Sequence, residues 1–382
     1  MRRVGRRIDL IRLSRSRVTY AALAALLVAA ALARAEIAPE TISVASAETP
    51  RPHWFIVMDA LGAYFFDADS GDMKGKVNTA NQFTATIVVD AKRGAVYVPG
   101  SFYTRIYYGE RSDVVVFNDL KTLAPVGEVA VPKKLAAIGH AGLAGLIGGR
   151  FLGVFNMTPA ASVSIVDVET KKFVGEIATP GCAMIYPVGT SFMQICGDGT
   201  LQLVTLTADG HEAKRAQSAK FFDVDKNAVY DYAVPSASGW ILISVENETF
   251  EATFAGAIKV TRTGTLLTDK DKEEKWRIGG DEPFAYNAAT ATLFTLMHQG
   301  EKDTHTDDGA EIWAFDFKTG HRGYRLKLPE AAYAMNVSAD ADPRLFVLST
   351  KPRTAYVYVA RTGKELRTID EAGYLPRQVQ RF

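Results

Sequence analysis

The chain has 382 residues, 47% hydrophobic and 23% charged, which provides for a large packed core and excludes a disordered or fibrous chain. Its net charge of +1 conceals an asymmetry: residues 1–35 hold eight arginines and one acid, while the remainder carries 36 basic and 42 acidic residues, a net of −6. So mildly acidic a body lacks the basic face that nucleic-acid binding requires.

Residues 1–35 read as an export signal. Arginines up to Arg17 precede the apolar run Val18–Ala33, and Ala33-Arg34-Ala35 is a small-x-small cleavage site. The sixteen uncharged residues of that run fall short of the ~20 that span a bilayer, so no membrane segment is expected after cleavage. The expected location is the periplasm. A polar lead-in, 36–52, separates this signal from residues 53–382, where strand signals begin and hardly stop.

One phrase recurs through 53–382: an alternating strand, usually ending in Asp, then a short polar turn, then a second strand. It appears at Ala63–Asp67, Val114–Phe117 and Val163–Val166, and more weakly at Leu201–Leu206 and Trp240–Val245. It returns at Ile312–Phe315 and Ala355–Val359. Further strands such as Ala85–Asp90 and Gly94–Val98 lie upstream of several hairpins. Seven instances, mostly forty to fifty residues apart and without a long helix, predict an all-β fold, a seven-bladed β-propeller. The C-terminal stretch Arg377–Phe382 is expected to pair near the N-terminus and close the ring. Two segments break the rhythm. Phe102–Asp113 is aromatic and basic, and Lys259–Pro283 is highly charged, its first part reading as a long solvated hairpin.

The two cysteines, Cys182 and Cys196, bracket a strand, a Pro-Val-Gly-Thr turn and a second strand. Antiparallel pairing and an oxidising compartment predict a disulfide, with two buried free thiols as the alternative. No nucleophile elbow, zinc-protease helix, Walker loop or Cys-x-x-Cys is present. His298 and His305 are the only histidines close together in sequence, and a turn-satisfying role suits them better than metal binding. The strand-end aspartates read as turn residues, because Asp accepts backbone N–H groups two residues on. The aromatics Phe102, Tyr103, Tyr107 and Tyr108 read either as a recognition surface or as cover for blade edges. The residues thus describe an exported propeller with no catalytic or metal site of its own.

Six collinear phrases carry a family likeness: FYTRIYYGERSDVVVF (Phe102–Phe117), FNMTPAASVSIVD (Phe155–Asp167), CAMIYPVGTSFMQICGDGTL (Cys182–Leu201), WRIGG (Trp276–Gly280), MHQGEKDTHTDDGAEIWAFD (Met297–Asp316) and TGKELRTI (Thr362–Ile369). The chain resembles the heavy subunit of the quinoprotein amine dehydrogenases, the methylamine and aromatic amine dehydrogenases. The resemblance implies a periplasmic heterotetramer of two heavy and two light chains. No cofactor is expected in this chain; tryptophan tryptophylquinone resides in the light chain, which oxidises a primary amine to aldehyde and ammonia. Electrons pass to a blue copper protein of the amicyanin or azurin type. The family's disulfide matches Cys182–Cys196.

In the family an aromatic residue ahead of the second repeat reaches the quinone pocket, and the matching position is Phe83, in Thr79–Thr84. A rigid apolar ring suits the wall of an amine channel. The alternative is that Phe83 packs inside the first blade. Asn81-Gln82 replaces the glycine-rich setting of some members, leaving open methylamine, the favoured substrate, against aromatic amines. Two further readings are a free-standing periplasmic propeller that binds a ligand or partner, and a propeller lactonase, whose metal ligands this sequence does not assemble.

Overall fold

The computed structural model describes residues 48–79, 86–106, 108–136 and 138–382. The export signal and most of the lead-in lie outside the described residues. The strands follow one another as antiparallel neighbours. The first blade contains β1 (Trp54–Asp59), β2 (Gly62–Asp67) and β3 (Met73–Val77). The second contains β4 (Val88–Asp90), β5 (Ala95–Tyr103), β6 (Arg111–Asp119) and β7 (Pro125–Val131). The third runs through β8 (Ala144–Ile147), β9 (Phe151–Asn156), β10 (Ser162–Asp167) and β11 (Lys172–Ala178). The fourth has β12 (Cys182–Val188), β13 (Ser191–Cys196), β14 (Leu201–Leu206) and β15 (Glu212–Gln217). The fifth has β16 (Val234–Pro235), β17 (Gly239–Ile243), β18 (Glu248–Thr253) and β19 (Lys259–Thr265).

The remaining strands merge into one eight-stranded sheet. There β20 (Trp276–Ile278) and β21 (Phe284–Asn287) both pair with β22 (Thr292–Gln299). The sheet continues through β23 (Gly309–Asp316), β24 (Arg322–Val337), β25 (Arg344–Ser349), β26 (Ala355–Val359) and β27 (Lys364–Ile369). Finally β28 (Gln378–Arg381) pairs with β1, as expected for the C-terminal stretch, and completes the first blade.

The expectation of a seven-bladed β-propeller is therefore corrected: the described residues form five separate four-stranded blades, not seven. The cause is β24, which stays extended for 16 residues. Its first part pairs with β23 from Arg322 to Lys327, and its last part pairs with β25 from Ala332 to Val337. Pro329 falls in the irregular stretch of the β23–β24 ladder between Lys327 and Ala332, where no partner is paired to it, so its missing N–H does not interrupt the strand. Counting hairpin phrases also misplaced one instance. Trp240–Val245 covers the second strand of its blade, whereas the other instances cover third strands.

The strand-end aspartates do hold turns. Asp67 Oδ1 accepts the N–H groups of Asp69 and Ser70, Asp119 Oδ1 those of Lys121 and Thr122, and Asp167 Oδ1 those of Glu169 and Thr170. A register shift follows each of these turns, as in β2–β3, β6–β7 and β10–β11. Such bulges bend the outer strands, which also carry lysines and glutamates, away from edge-to-edge pairing. Between blades the core is apolar: Phe55 of β1 stacks on Phe346 of β25 at 4.5 Å between ring centres. The first part of the charged insertion is a solvated hairpin strand followed by a helix that the sequence did not announce. It contains β19 and a one-turn helix, α1 (Asp269–Glu273), capped reciprocally by Thr268 and Asp271. Arg322 donates to both Asp271 oxygens at 2.9 Å and lies 4.3 Å over Trp313, binding the insertion to the eight-stranded sheet.

Cys182 and Cys196 stand opposite each other in β12 and β13 and form the disulfide, Cα atoms 4.0 Å apart. Closing a 14-residue separation is worth about 3 kcal/mol in the chain-entropy account. The variant carrying Cys182→Ser and Cys196→Ser is expected to lose about that much stability in urea melts, and an unchanged midpoint would refute this.

His53, just before β1, places Nδ1 2.7 Å from Asp69 and Nε2 3.3 Å from Asp340, joining the first blade to the β24–β25 turn. Burial pushes its pKa down, but the Asp69 and Asp340 carboxylates outweigh that and hold it above the ordinary value. The raised imidazolium stabilises the fold fully below pH 6.5, and that contribution fades as pH rises through the folded pKa. His53→Gln is expected to flatten this part of the melting-temperature profile between about pH 5.5 and 8.

Candidate functional site

Antiparallel order sends the connections alternately to two faces. Turns between second and third strands, and the links from one blade to the next, share one face; the aspartate turns of the outer hairpins lie on the other. On the first face a cavity of about 1070 Å³ opens, walled by connections from several blades. The β1–β2 turn gives Ala60 and Leu61, the β7–β8 link gives Ile138 and His140, and the β15–β16 link gives Val224 and Tyr230–Asp231. Gly280–Asp281, Lys302–Thr306 of the β22–β23 loop and Tyr374–Arg377 of the β27–β28 link complete it.

The rim is apolar and open. Leu61, Ile138, Val224, Tyr374 and Leu375 are all exposed and all line the cavity. Phe102, Ile106, Tyr108 and Met157 are exposed at second-to-third-strand turns of the same face. Among the described residues the other exposed large hydrophobic side chains, Met73, Val126, Phe173 and Leu366, are scattered along outer strands. Isolated apolar residues on a surface are ordinary, but a concentration of them on one face marks a contact surface.

Charged groups stand at and beside the cavity. His140 Nδ1 accepts the Gly142 N–H at 2.9 Å, which turns Nε2 toward Asp231 Oδ1, 3.6 Å away. Pairing with His140 holds the Asp231 carboxyl below its ordinary range, and the Tyr186 hydroxyl donates to the Asp231 carbonyl. Asp281, which lines the cavity, and Asp308 are both pushed up, chiefly by desolvation. Asp231 adds to the rise at Asp281 against the pull of Arg377, while Asp281 and Asp307 add to it at Asp308. Glu282 is 3% exposed. Its Oε2 accepts the Val379 N–H at 2.9 Å, its Oε1 has no hydrogen-bond partner, and burial pushes its pKa up to about 8.

Phe83 lies outside the described residues, within 80–85 of the β3–β4 link. Both flanks of that segment attach to the cavity walls: Thr79 Oγ1 donates to the Asp59 carbonyl at 3.4 Å and Thr86 Oγ1 to the His140 carbonyl at 2.8 Å. Cys182 and Cys196 do not line the cavity. His298 donates or accepts at Thr304 Oγ1, 2.9 Å away, and His305 stands edge-on to Tyr230, so the two histidines do separate work. Among the described residues no three His, Cys, Asp or Glu side chains gather with metal-binding geometry. Of the aromatic group Phe102 and Tyr108 are exposed on the hairpin tip and Tyr103 is half-buried. Asp59, His140, Asp231 and Glu282 were not singled out by sequence reasoning, since no motif joins residues so distant along the chain.

Residues 50–381 match the family model described as methylamine dehydrogenase heavy chain. The chain belongs to the methylamine dehydrogenase heavy chain family. The methylamine dehydrogenase heavy chain of Methylophilus methylotrophus is 27% identical over 324 residues, 83% of this chain and 78% of that one. That of Paracoccus versutus is 29% identical over 296 residues, 76% and 69% of the two chains. A periplasmic gluconolactonase structure from Pseudomonas aeruginosa superposes with a TM-score of 0.58 at 14% identity, over 86% of this chain and 98% of that one, a likeness of fold alone. Membership makes this a chain of an amine dehydrogenase family. Among the described residues no helix is long and apolar enough to cross a membrane.

Glu282 yields a test of the axial chemistry of this heavy chain. A carboxyl whose pKa rises from 4.5 to about 8 on folding makes the fold progressively less stable as pH climbs through that interval. Glu282→Gln keeps an acceptor for Val379 and removes the titration. The variant is expected to gain stability over the parent, on the order of a few kcal/mol, as pH goes from about 5 to 9; parallel pH profiles would refute it.

Proposed function

We propose that this chain is the heavy subunit of a periplasmic amine dehydrogenase and seats the light chain on the cavity face. The observation that carries this reading is the gathering of exposed apolar side chains, Leu61, Ile138, Val224, Tyr374 and Leu375, around one opening. A face of that character is desolvated favourably by a second protein, and membership in a heavy-chain family supplies a partner of the right kind. The light chain would carry tryptophan tryptophylquinone, which takes electrons from a primary amine as aldehyde and ammonia form. A blue copper protein would receive those electrons.

This chain's own part is positional. Its rim excludes water from the seam between the subunits, and Phe83 forms one wall of the amine channel. The family resemblance supports that assignment, since Phe83 is the position that matches the family's channel aromatic. The cavity's acids need not act on the substrate, since the base would come from the light chain. The disulfide Cys182–Cys196 supports an oxidising compartment.

Co-expression with a light chain, followed by purification and absorption spectroscopy, tests the reading. A quinone band that co-purifies and bleaches on adding amine supports it; a chain that emerges alone and colourless overturns it. In the assembled enzyme Phe83→Ala is expected to change KM for the preferred amine on the order of tenfold while retaining the light chain. Unchanged kinetics from methylamine to aromatic amines would remove Phe83 from the channel, and the wild-type ranking separates the methylamine reading from the aromatic one.

A further inference from the structure

A second cavity, of about 190 Å³, lies among the innermost strands. It is bordered by Tyr186 of β12, Val234 of β16, Tyr286 of β21, Asn336 of β24 and Arg381 of β28, and by β8 through Ala144. These strands adjoin one another around the axis: β8 meets β12, β16 meets β21, β21 meets β24 and β24 meets β28. The cavity is therefore axial, and it shares no lining residue with the larger mouth described above. Pro187, Pro235 and Trp240 on its border are only half-buried, so solvent reaches it.

Arg381 is the one charged residue on that border. It is half-buried, yet its guanidinium has no hydrogen-bond or ion-pair partner. Among the described residues the other arginine side chains without one, Arg105 and Arg377, are exposed. Burial pulls the Arg381 pKa below its ordinary value, and Tyr232 is near enough to oppose that. The Tyr232 hydroxyl is also without a hydrogen-bond partner. Neighbouring donors are engaged. The Tyr186 hydroxyl donates to the Asp231 carbonyl, Trp240 Nε1 to the Pro187 carbonyl at 3.2 Å, and Asn336 Nδ2 to the Val379 carbonyl at 3.1 Å. A guanidinium drawn out of bulk water without a counter-charge is unfavourable, and an anion entering the cavity offsets that.

The walls narrow the choice of anion. The rings of Tyr186 and Trp240 meet at 5.0 Å, and Ile185 and Val234 stand beside them, so most of the space is apolar. At the ~30 Å³ that one water occupies in the liquid, the cavity takes about six groups of that size. We propose that the axial cavity binds a small aliphatic monocarboxylate, its oxygens on the Arg381 guanidinium and the Tyr232 hydroxyl and its alkyl chain against Tyr186 and Trp240. The planar fork of arginine matches the two oxygens of a carboxylate. Phosphate would leave its further oxygens against apolar walls. No light chain takes part, so the inference stands apart from the heavy-subunit reading. The ligand is held by β28, whose pairing with β1 closes the ring, and binding therefore also stabilises the closed fold.

The test titrates the purified full chain calorimetrically, in carboxylate-free buffer, with butyrate, butyramide and inorganic phosphate. Butyrate is expected to bind once per chain, at least about tenfold more tightly than either of the others, and to raise the melting temperature. Arg381→Gln is expected to weaken butyrate at least about tenfold. Arg381→Lys keeps the charge without the fork and is expected to give a smaller loss. Tyr232→Phe keeps the ring and is expected to weaken butyrate on the order of fivefold. If Arg381→Gln does not fold, Arg381→Lys and Tyr232→Phe decide the matter together. Absence of butyrate binding to the wild-type chain, equal binding of butyramide, or wild-type affinity in the folded variants overturns the site. Phosphate binding as tight as butyrate overturns the carboxylate class.

Discussion

Closure of the ring by β28 against β1 is the constraint on which the rest of the structure depends. A run of twisted blades leaves two open edges, and pairing four residues from the C-terminus with β1 removes both. The seal is reinforced from the neighbouring sheet: Asn336 Nδ2 donates to the Val379 carbonyl at 3.1 Å, and Glu282 accepts the Val379 N–H. The Arg377 N–H reaches the Met58 carbonyl at 2.9 Å. Of these groups Arg377 also lines the cavity, so one of the closing contacts borders the mouth. Its rim residues Tyr374 and Leu375 precede β28 directly, and Leu61 follows β1.

The two faces divide the work. On one, short turns finish the outer hairpins, several of them with an aspartate that accepts nearby backbone donors. On the other, longer links between blades carry the apolar rim, the His140–Asp231 pair and the flanks of the Phe83 segment. A heavy chain that works by seating and shaping a partner needs a rigid frame with one adhesive face. Apolar groups make that adhesion, while the buried carboxylates of Asp59 and Glu282 make the frame specific to one geometry, because each holds backbone groups from distant parts of the chain.

The eight-stranded sheet shows how local signals mislead about architecture. Turn residues announce hairpins, and most predicted hairpins are found where the Asp-containing phrases stand. Whether two groups of strands remain separate depends on what lies between them. Leu328–Ala331 contains a proline but no glycine or asparagine to reverse the chain, and β24 passes from one ladder to the next without leaving the extended conformation. The helical end of the Lys259–Lys275 insertion misled for the opposite reason. Its charges suggest solvent, yet Asp271 and Arg322 meet over Trp313 from segments about fifty residues apart, which no local pattern reveals.

The sequence by itself determined what repeats and what is near in the chain. It specified the all-β class, the aspartate turns, the Cys182–Cys196 pair across one hairpin, the closing role of Arg377–Phe382 and the family, since six phrases kept their order. Each depends on spacing along the chain, and spacing is what a sequence displays. Only the tertiary structure decided the number of separate blades, the face that carries the exposed apolar residues, and the meeting of Asp59 with Tyr374 across 315 positions. The physical reason is that a closed ring brings its two ends together. The groups that line the cavity come from connections of several blades, and their proximity is a property of closure rather than of any stretch of residues.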